Sequence, residues 1–159
     1  MQKRTVADVR NTGVALVDWM TDIQTGSLSL PAQGHAGEEE GVVEDLSLAG
    51  FREVSYEEIF GYLHPGDHFF YMQEVPEFDG WKNRIEFYFL GEATPPSSIL
   101  IRSAGCQGEF EEGDYRTGPF TSTDYQQDIV WADGRFVRWP SGSGRSEISK
   151  RRPGDEQQE

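Results

Sequence analysis

Positive charge is scarce in this chain: 14 Lys and Arg stand against 28 Asp and Glu, for a formal net charge of -14 on 159 residues. A field of that sign repels nucleic acid and anionic membrane and speeds encounter with a basic surface. Cysteine is almost absent too. Cys106 is alone, so no disulfide can form within the chain. No apolar run approaches the roughly 20 residues a membrane span needs, and Met1 to Arg10 is polar, without the apolar core of a signal peptide. A cytoplasmic protein is the expectation. Phosphate-binding glycine loops are missing as well, since neither Gly-x-x-x-x-Gly-Lys-Ser/Thr nor Gly-x-Gly-x-x-Gly occurs.

What the chain does have is aromatic bulk. Four Trp, six Tyr and ten Phe can bury enough area to build one core in a domain of this size. The expected organisation is a single compact domain over 1–140, with a mobile acidic loop near 26–41 and a polar flexible tail over 141–159. The loop is rich in Ser, Gly, Pro and Glu, and after it Val42, Val43, Leu46 and Leu48 offer a return to the core.

Two helices are predicted. Over 6–23, Val6, Val9, Leu16, Val17, Met20 and Ile23 recur at spacings of three, four and seven, which lays an apolar stripe along one face. Gly13 interrupts it at a cost of about 1 kcal/mol relative to Ala, so the first half of that helix is expected to be loose. Over 56–63, Ser55 and Glu58 have the spacing of a capping box, Val54 and Ile59 that of a hydrophobic staple, and Pro65 ends the helix.

The remainder reads as strands over 68–75, 84–90, 98–103, 128–132 and 135–139, the last two flanking Asp133-Gly134, a hairpin signal. In the second of these, Ile85, Phe87 and Phe89 alternate with Arg84, Glu86 and Tyr88. The predicted fold class is α+β: an antiparallel sheet of four to six strands with both helices packed on one face.

The acidity is clustered. Residues 36–60 carry eight acids and one base, and residues 107–128 carry six acids and one base. In the second window Phe110, Tyr115, Phe120 and Tyr125 lie among the carboxylates. These rings are either core residues of irregular strands or exposed partners for arginine through cation–π contact. The carboxylates singled out for partner binding are Glu109, Glu111, Glu112 and Asp114, with Tyr115 beside them, then Glu38, Glu39 and Glu40.

Chemistry-bearing groupings are few. His64, Asp67 and His68 fall within five residues and are metal-ligand types that a turn can bring together, with Glu74 or Glu86 to complete a site. Recognised zinc spacings are absent, and His64 near a helix end with Asp67 in a turn is the plainer reading. Cys106 is flanked by Glu109, Glu111 and Glu112, which disfavour a thiolate nucleophile. No cofactor is implied.

Three functions follow as expectations. The first is a non-enzymatic module whose carboxylates occupy a basic, nucleic-acid-binding surface of a protein partner where phosphates would sit, as an inhibitor, immunity or phage anti-defence protein. The second is a structural subunit of a larger assembly such as a virion, self-associating through the basic tail with Arg151 and Arg152. The third is a small metal-dependent enzyme built on His64, Asp67 and His68. Direct contact with nucleic acid or membrane is not expected.

Overall fold

A computed structural model describes residues 1–26 and 45–142. Helix α1 runs from Gln2 to Gly26, strand β1 from Asp45 to Leu46, β2 from Phe51 to Val54, and helix α2 from Tyr56 to Leu63. Then follow β3 (Glu86–Leu90), β4 (Ser98–Ser103), β5 (Tyr115–Arg116), β6 (Gly118–Phe120), β7 (Ile129–Ala132) and β8 (Arg135–Pro140). Six strands form one sheet in the order β2-β3-β4-β7-β8-β6, and β1 and β5 form a separate antiparallel pair. The α+β class expected from the sequence is therefore the fold observed.

Within the large sheet every pairing is antiparallel except β6 with β8, which is parallel. Pro119 lies in β6, at the sheet edge, where its missing N–H costs no internal ladder bond.

The two sheet faces bury different side chains because strand residues alternate. On one face Val54, Phe87, Phe89, Ile99, Ile101 and Trp131 pack with Val9, Leu16 and Trp19 of α1 and with Ile59 and Leu63 of α2. On the other, Leu100, Val130 and Val137 pack with Tyr115, and Leu46, Leu48 and Phe51 close over them. Leu46 and Leu48 thus make the return to the core that their apolar character predicted, while Val42 and Val43 lie outside the described residues. The helices share one face, and the β1–β5 ribbon covers part of the opposite one.

α1 is longer than its stripe suggested and is not loose at Gly13. A Cβ on Gly13 would lie 2.5 Å from Cη2 and 2.6 Å from both Cε2 and Cζ2 of Trp131. Glycine is there because the indole of β7 packs directly on the helix backbone. α2 has its expected bounds, with the Ser55 side chain accepting from the Glu58 N–H. Val54 and Ile59, the two ends of the staple, are buried in the same cluster. The Glu58 carboxylate accepts from the Tyr62 hydroxyl at 2.7 Å.

The β7–β8 hairpin turns on Asp133 (φ 50°) and Gly134 (φ 101°). Two positive φ values in a two-residue loop are the geometry that matches the right-handed twist of the flanking strands. Asp133 also reaches across to β4, accepting from the Ile99 N–H at 2.9 Å and from the Ser98 hydroxyl.

The strand expected over 68–75 is not formed. His68, Phe69 and Phe70 are exposed, Tyr71 and Met72 half-buried, Gln73 and Glu74 exposed again, and only Val75 is buried. That pattern has no period of two, so no sheet face could accept it. The segment is instead an irregular loop tied to α2: the Tyr71 N–H donates to the Leu63 carbonyl at 2.8 Å, and the Tyr56 hydroxyl to the Val75 carbonyl at 3.0 Å. The loop expected over 26–41 lies, beyond Gly26, outside the described residues, and so does the tail from residue 143. Among the described residues no helix is long and apolar enough to cross a membrane.

Candidate functional site

The face of the sheet opposite the helices carries a buried polar cluster. Glu86 and Tyr88 alternate outward from β3, and Leu100 and Arg102 from β4. The strand register sets Glu86 directly opposite Arg102. Arg102, only 9% exposed, donates to Glu86 Oε1 through Nε at 3.0 Å and Nη2 at 2.8 Å. It also donates to the Tyr88 hydroxyl at 3.0 Å and the Tyr115 hydroxyl at 2.9 Å. The Phe110 ring lies against the guanidinium, 3.9 Å from Cζ to its centroid. Burial works against the Arg102 charge. The bond to Glu86 and the two tyrosine oxygens outweigh it, so the guanidinium holds its proton more tightly than usual.

The cluster continues through Tyr115, whose hydroxyl donates to Asp128 Oδ2 at 2.5 Å. The same carboxylate oxygen accepts from the Glu111 N–H at 3.0 Å. Asp128 is 0% exposed, and its Oδ1 is buried with no hydrogen-bond partner among the described residues. Burial pushes the Asp128 carboxyl above its ordinary pKa. Burial and then the bond to Asp128 push the Tyr115 phenol well up, and burial and then Glu86 push Tyr88 up to about 12. Both tyrosines therefore remain neutral donors across the ordinary pH range.

These contacts fasten the acidic loop. Between β4 and β6 the chain is held at three points: Phe110 against Arg102, the Glu111 N–H on Asp128, and Tyr115 between Arg102 and Asp128. Glu109, Glu111, Glu112 and Asp114 sit between or beside those anchors, and all four are exposed. Among the described residues no Lys or Arg forms an ion pair with any of them. The structure thus gathers four of the sequence-selected carboxylates on a loop whose roots are buried. β1 pairs with β5 in a register that sets Asp45 opposite Arg116, which brings Asp45 of the first acidic window beside the second.

Tyr115 is not part of the displayed surface. Its ring is buried against Leu100 and Val130, because the two-residue strand β5 turns it inward onto the sheet. Of the other rings in that window, Phe120 is buried, Phe110 half-buried and Tyr125 exposed. Glu38, Glu39 and Glu40 fall outside the described residues.

The metal candidate is not assembled. Among the described residues no group of three or more His, Cys, Asp or Glu is placed to hold a metal ion. His64 is engaged elsewhere, stacked on Phe60 at 4.3 Å and hydrogen-bonded through Nε2 to the Gln73 carbonyl at 3.0 Å, while Asp67 and His68 are exposed. Cys106 is exposed in a turn held by its N–H on the Tyr125 carbonyl at 2.8 Å.

Arg102 and Asp128, which sequence reasoning passed over, organise the site together with Glu86, which it weighed only as a metal ligand. A signal for the first was present. Arg102 closes the run Ile99-Leu100-Ile101, and a cation inside a run of that kind is buried and must find carboxylates. Nothing local points to Asp128 as the one that meets Tyr115. No family model, no curated protein and no solved structure matches the chain.

Proposed function

We propose that the protein is a non-enzymatic binding module whose 109–114 loop occupies a basic, nucleic-acid-binding surface of a protein partner, in the manner of an inhibitor, immunity or anti-defence protein. One observation carries the reading: four exposed carboxylates without ion-pair partners among the described residues stand on a loop anchored by Phe110 and Tyr115. Carboxylates left unneutralised create a field that steers a basic partner, and a pre-ordered loop loses less conformational entropy on binding. Glu111 is itself tied inward, its Oε2 accepting from the Asp128 N–H at 3.4 Å, whereas Glu109, Glu112 and Asp114 can be changed without disturbing the anchors.

The test is parallel affinity capture from the native host with wild type and with the Glu109→Lys/Glu112→Lys/Asp114→Lys variant, followed by association kinetics on the partner recovered. The partner is expected to be basic and to be lost by the variant. Its association rate with wild type should fall steeply as salt rises. A partner bound equally by both proteins, at a rate insensitive to salt, would overturn the assignment of the loop.

A further inference from the structure

Beside the core-facing Ile59 and Leu63, α2 and its C-cap carry rings at every fourth position, half-buried Tyr56, exposed Phe60 and half-buried His64, and these rings form a ladder. Tyr56 and Phe60 are 6.1 Å apart, Phe60 and His64 4.3 Å with planes within 5°, and Phe70 joins at 5.4 Å from His64. Phe69 packs edge-on against Tyr71 at 4.9 Å. Phe60 is 40% exposed, Phe70 43% and Phe69 53%. The loop bearing the last two is tied down, since the Tyr71 hydroxyl donates to Asp22 at 2.7 Å and His64 Nε2 bonds the Gln73 carbonyl at 3.0 Å. The rings therefore form a preformed aromatic platform on the helix side of the molecule.

The sequence around this platform is mostly acidic, with His64 and His68 among the carboxylates and Glu77 paired to Arg84. Between Arg52 and Lys82 the sequence holds seven Asp and Glu and neither Lys nor Arg. Glu57, Asp67 and Glu74 are exposed there, and Asp18 and Asp22 of α1 lie at the Tyr71 end. Elsewhere in the fold, guanidinium groups cover aromatic rings: Arg102 on Phe110, Arg84 on Phe78, Arg52 on Phe89 and Arg138 on Phe120. Among the described residues no guanidinium lies on Phe60, Phe69 or Phe70.

The geometry points to a docking site for an arginine-bearing basic segment of a partner protein, with the guanidinium planes on the Phe60 and Phe70 rings and the surrounding carboxylates balancing their charge. Arginine fits better than lysine, because the planar, weakly hydrated guanidinium stacks on rings whereas the ammonium is a hydrated point charge. An anionic membrane is repelled by the acidic rim. A second copy is disfavoured too, because a two-fold contact would set acids against acids between chains that each carry -14. The platform and the acidic loop belong to opposite faces of the sheet, so this site is independent of the one proposed above.

The experiment titrates the full chain with hexa-arginine and hexa-lysine peptides by calorimetry at about 0.15 M salt, where exposed charges more than roughly 8 Å apart are largely screened. Hexa-arginine is expected to bind about tenfold more tightly, the gain of two guanidinium–ring contacts. The exposed-site variant Phe60→Ala/Phe70→Ala, checked by circular dichroism for an unchanged fold, should erase that preference. The Glu109→Lys/Glu112→Lys/Asp114→Lys variant should keep it. Equal binding of the two peptides, or a preference that survives loss of both rings, would overturn the site. So would self-association abolished by Phe60→Ala/Phe70→Ala, which assigns the face to a second copy. Hexa-arginine binding that strengthens in Arg151→Ala/Arg152→Ala would give it to the chain's own tail.

Discussion

Replacing Gly13 by alanine sets two effects of opposite sign against each other. Helix propensity alone favours alanine by about 1 kcal/mol at an interior position. The structure opposes it, because the new methyl would meet three atoms of the Trp131 indole at 2.5, 2.6 and 2.6 Å. Carbon atoms rest at roughly 3.5–4.0 Å, so helix and indole must part by about 1 Å. Trp131 is fully buried, and its ring has no empty space to enter. Inserting a methyl into a packed core costs about 1–3 kcal/mol, and contact with three ring atoms places this site near the top of that range. Subtracting the propensity gain leaves a net destabilisation of about 2 kcal/mol. Urea unfolding followed by circular dichroism reads it as a lower midpoint at unchanged slope. In a Trp131→Phe background the ring is smaller, so the penalty of Gly13→Ala should shrink, giving a coupling energy above about 0.5 kcal/mol. A Gly13→Ala protein as stable as wild type, or more stable, would refute the claim that the indole dictates glycine here.

Two further predictions concern the buried cluster. Arg102→Met leaves Glu86 without its cation and the Tyr115 hydroxyl without a donor, and breaking a buried pair this way costs about 3–5 kcal/mol; at about 2–4 °C per kcal/mol for a chain of this size, thermal unfolding should move down by about 6 °C or more. A shift under about 2 °C would mean the cluster does not hold the loop. Asp128→Asn tests the burial of a charge. The folded protein raises the Asp128 carboxyl above its ordinary value of 3.8, so it favours the protonated form. That contribution is fully present below the unfolded value and is lost as pH rises through the raised folded value. Asparagine does not titrate, so the urea midpoint of the variant should gain on that of wild type between pH 4 and pH 7. A gap that closes in the opposite direction would show that Asp128 is stabilised as a carboxylate.

Much of the fold was legible because its signals are local. The Ser55 cap, the Val54–Ile59 staple and Pro65 delimit α2 within a short stretch from Val54 to Pro65, and each acts on its immediate neighbours. The Asp133-Gly134 turn works in the same way, through backbone angles at two positions. The run over 68–75 misled for a related reason. Its β-favouring residues carry no alternation, and their aromatic bulk serves a platform beside α2 rather than a sheet face. Gly13 was legible only as a cost, since the compensating contact comes from a tryptophan on a distant strand.

The acidic loop shows where sequence ends and tertiary structure begins. Composition and position alone determined that the chain is strongly acidic, that Glu109, Glu111, Glu112 and Asp114 lie in one segment, and that an α+β sheet with two helices carries them. Charge counts and short-range periodicity need no partner from elsewhere in the chain. Only the folded chain decided that Tyr115 turns inward, that Arg102 meets Glu86 across a strand register, and that Asp128 is buried beneath the loop. Those outcomes depend on which distant segments share a burial site. That is settled by the pairing of strands and by the need of a desolvated charge for partners, neither of which is written in neighbouring residues.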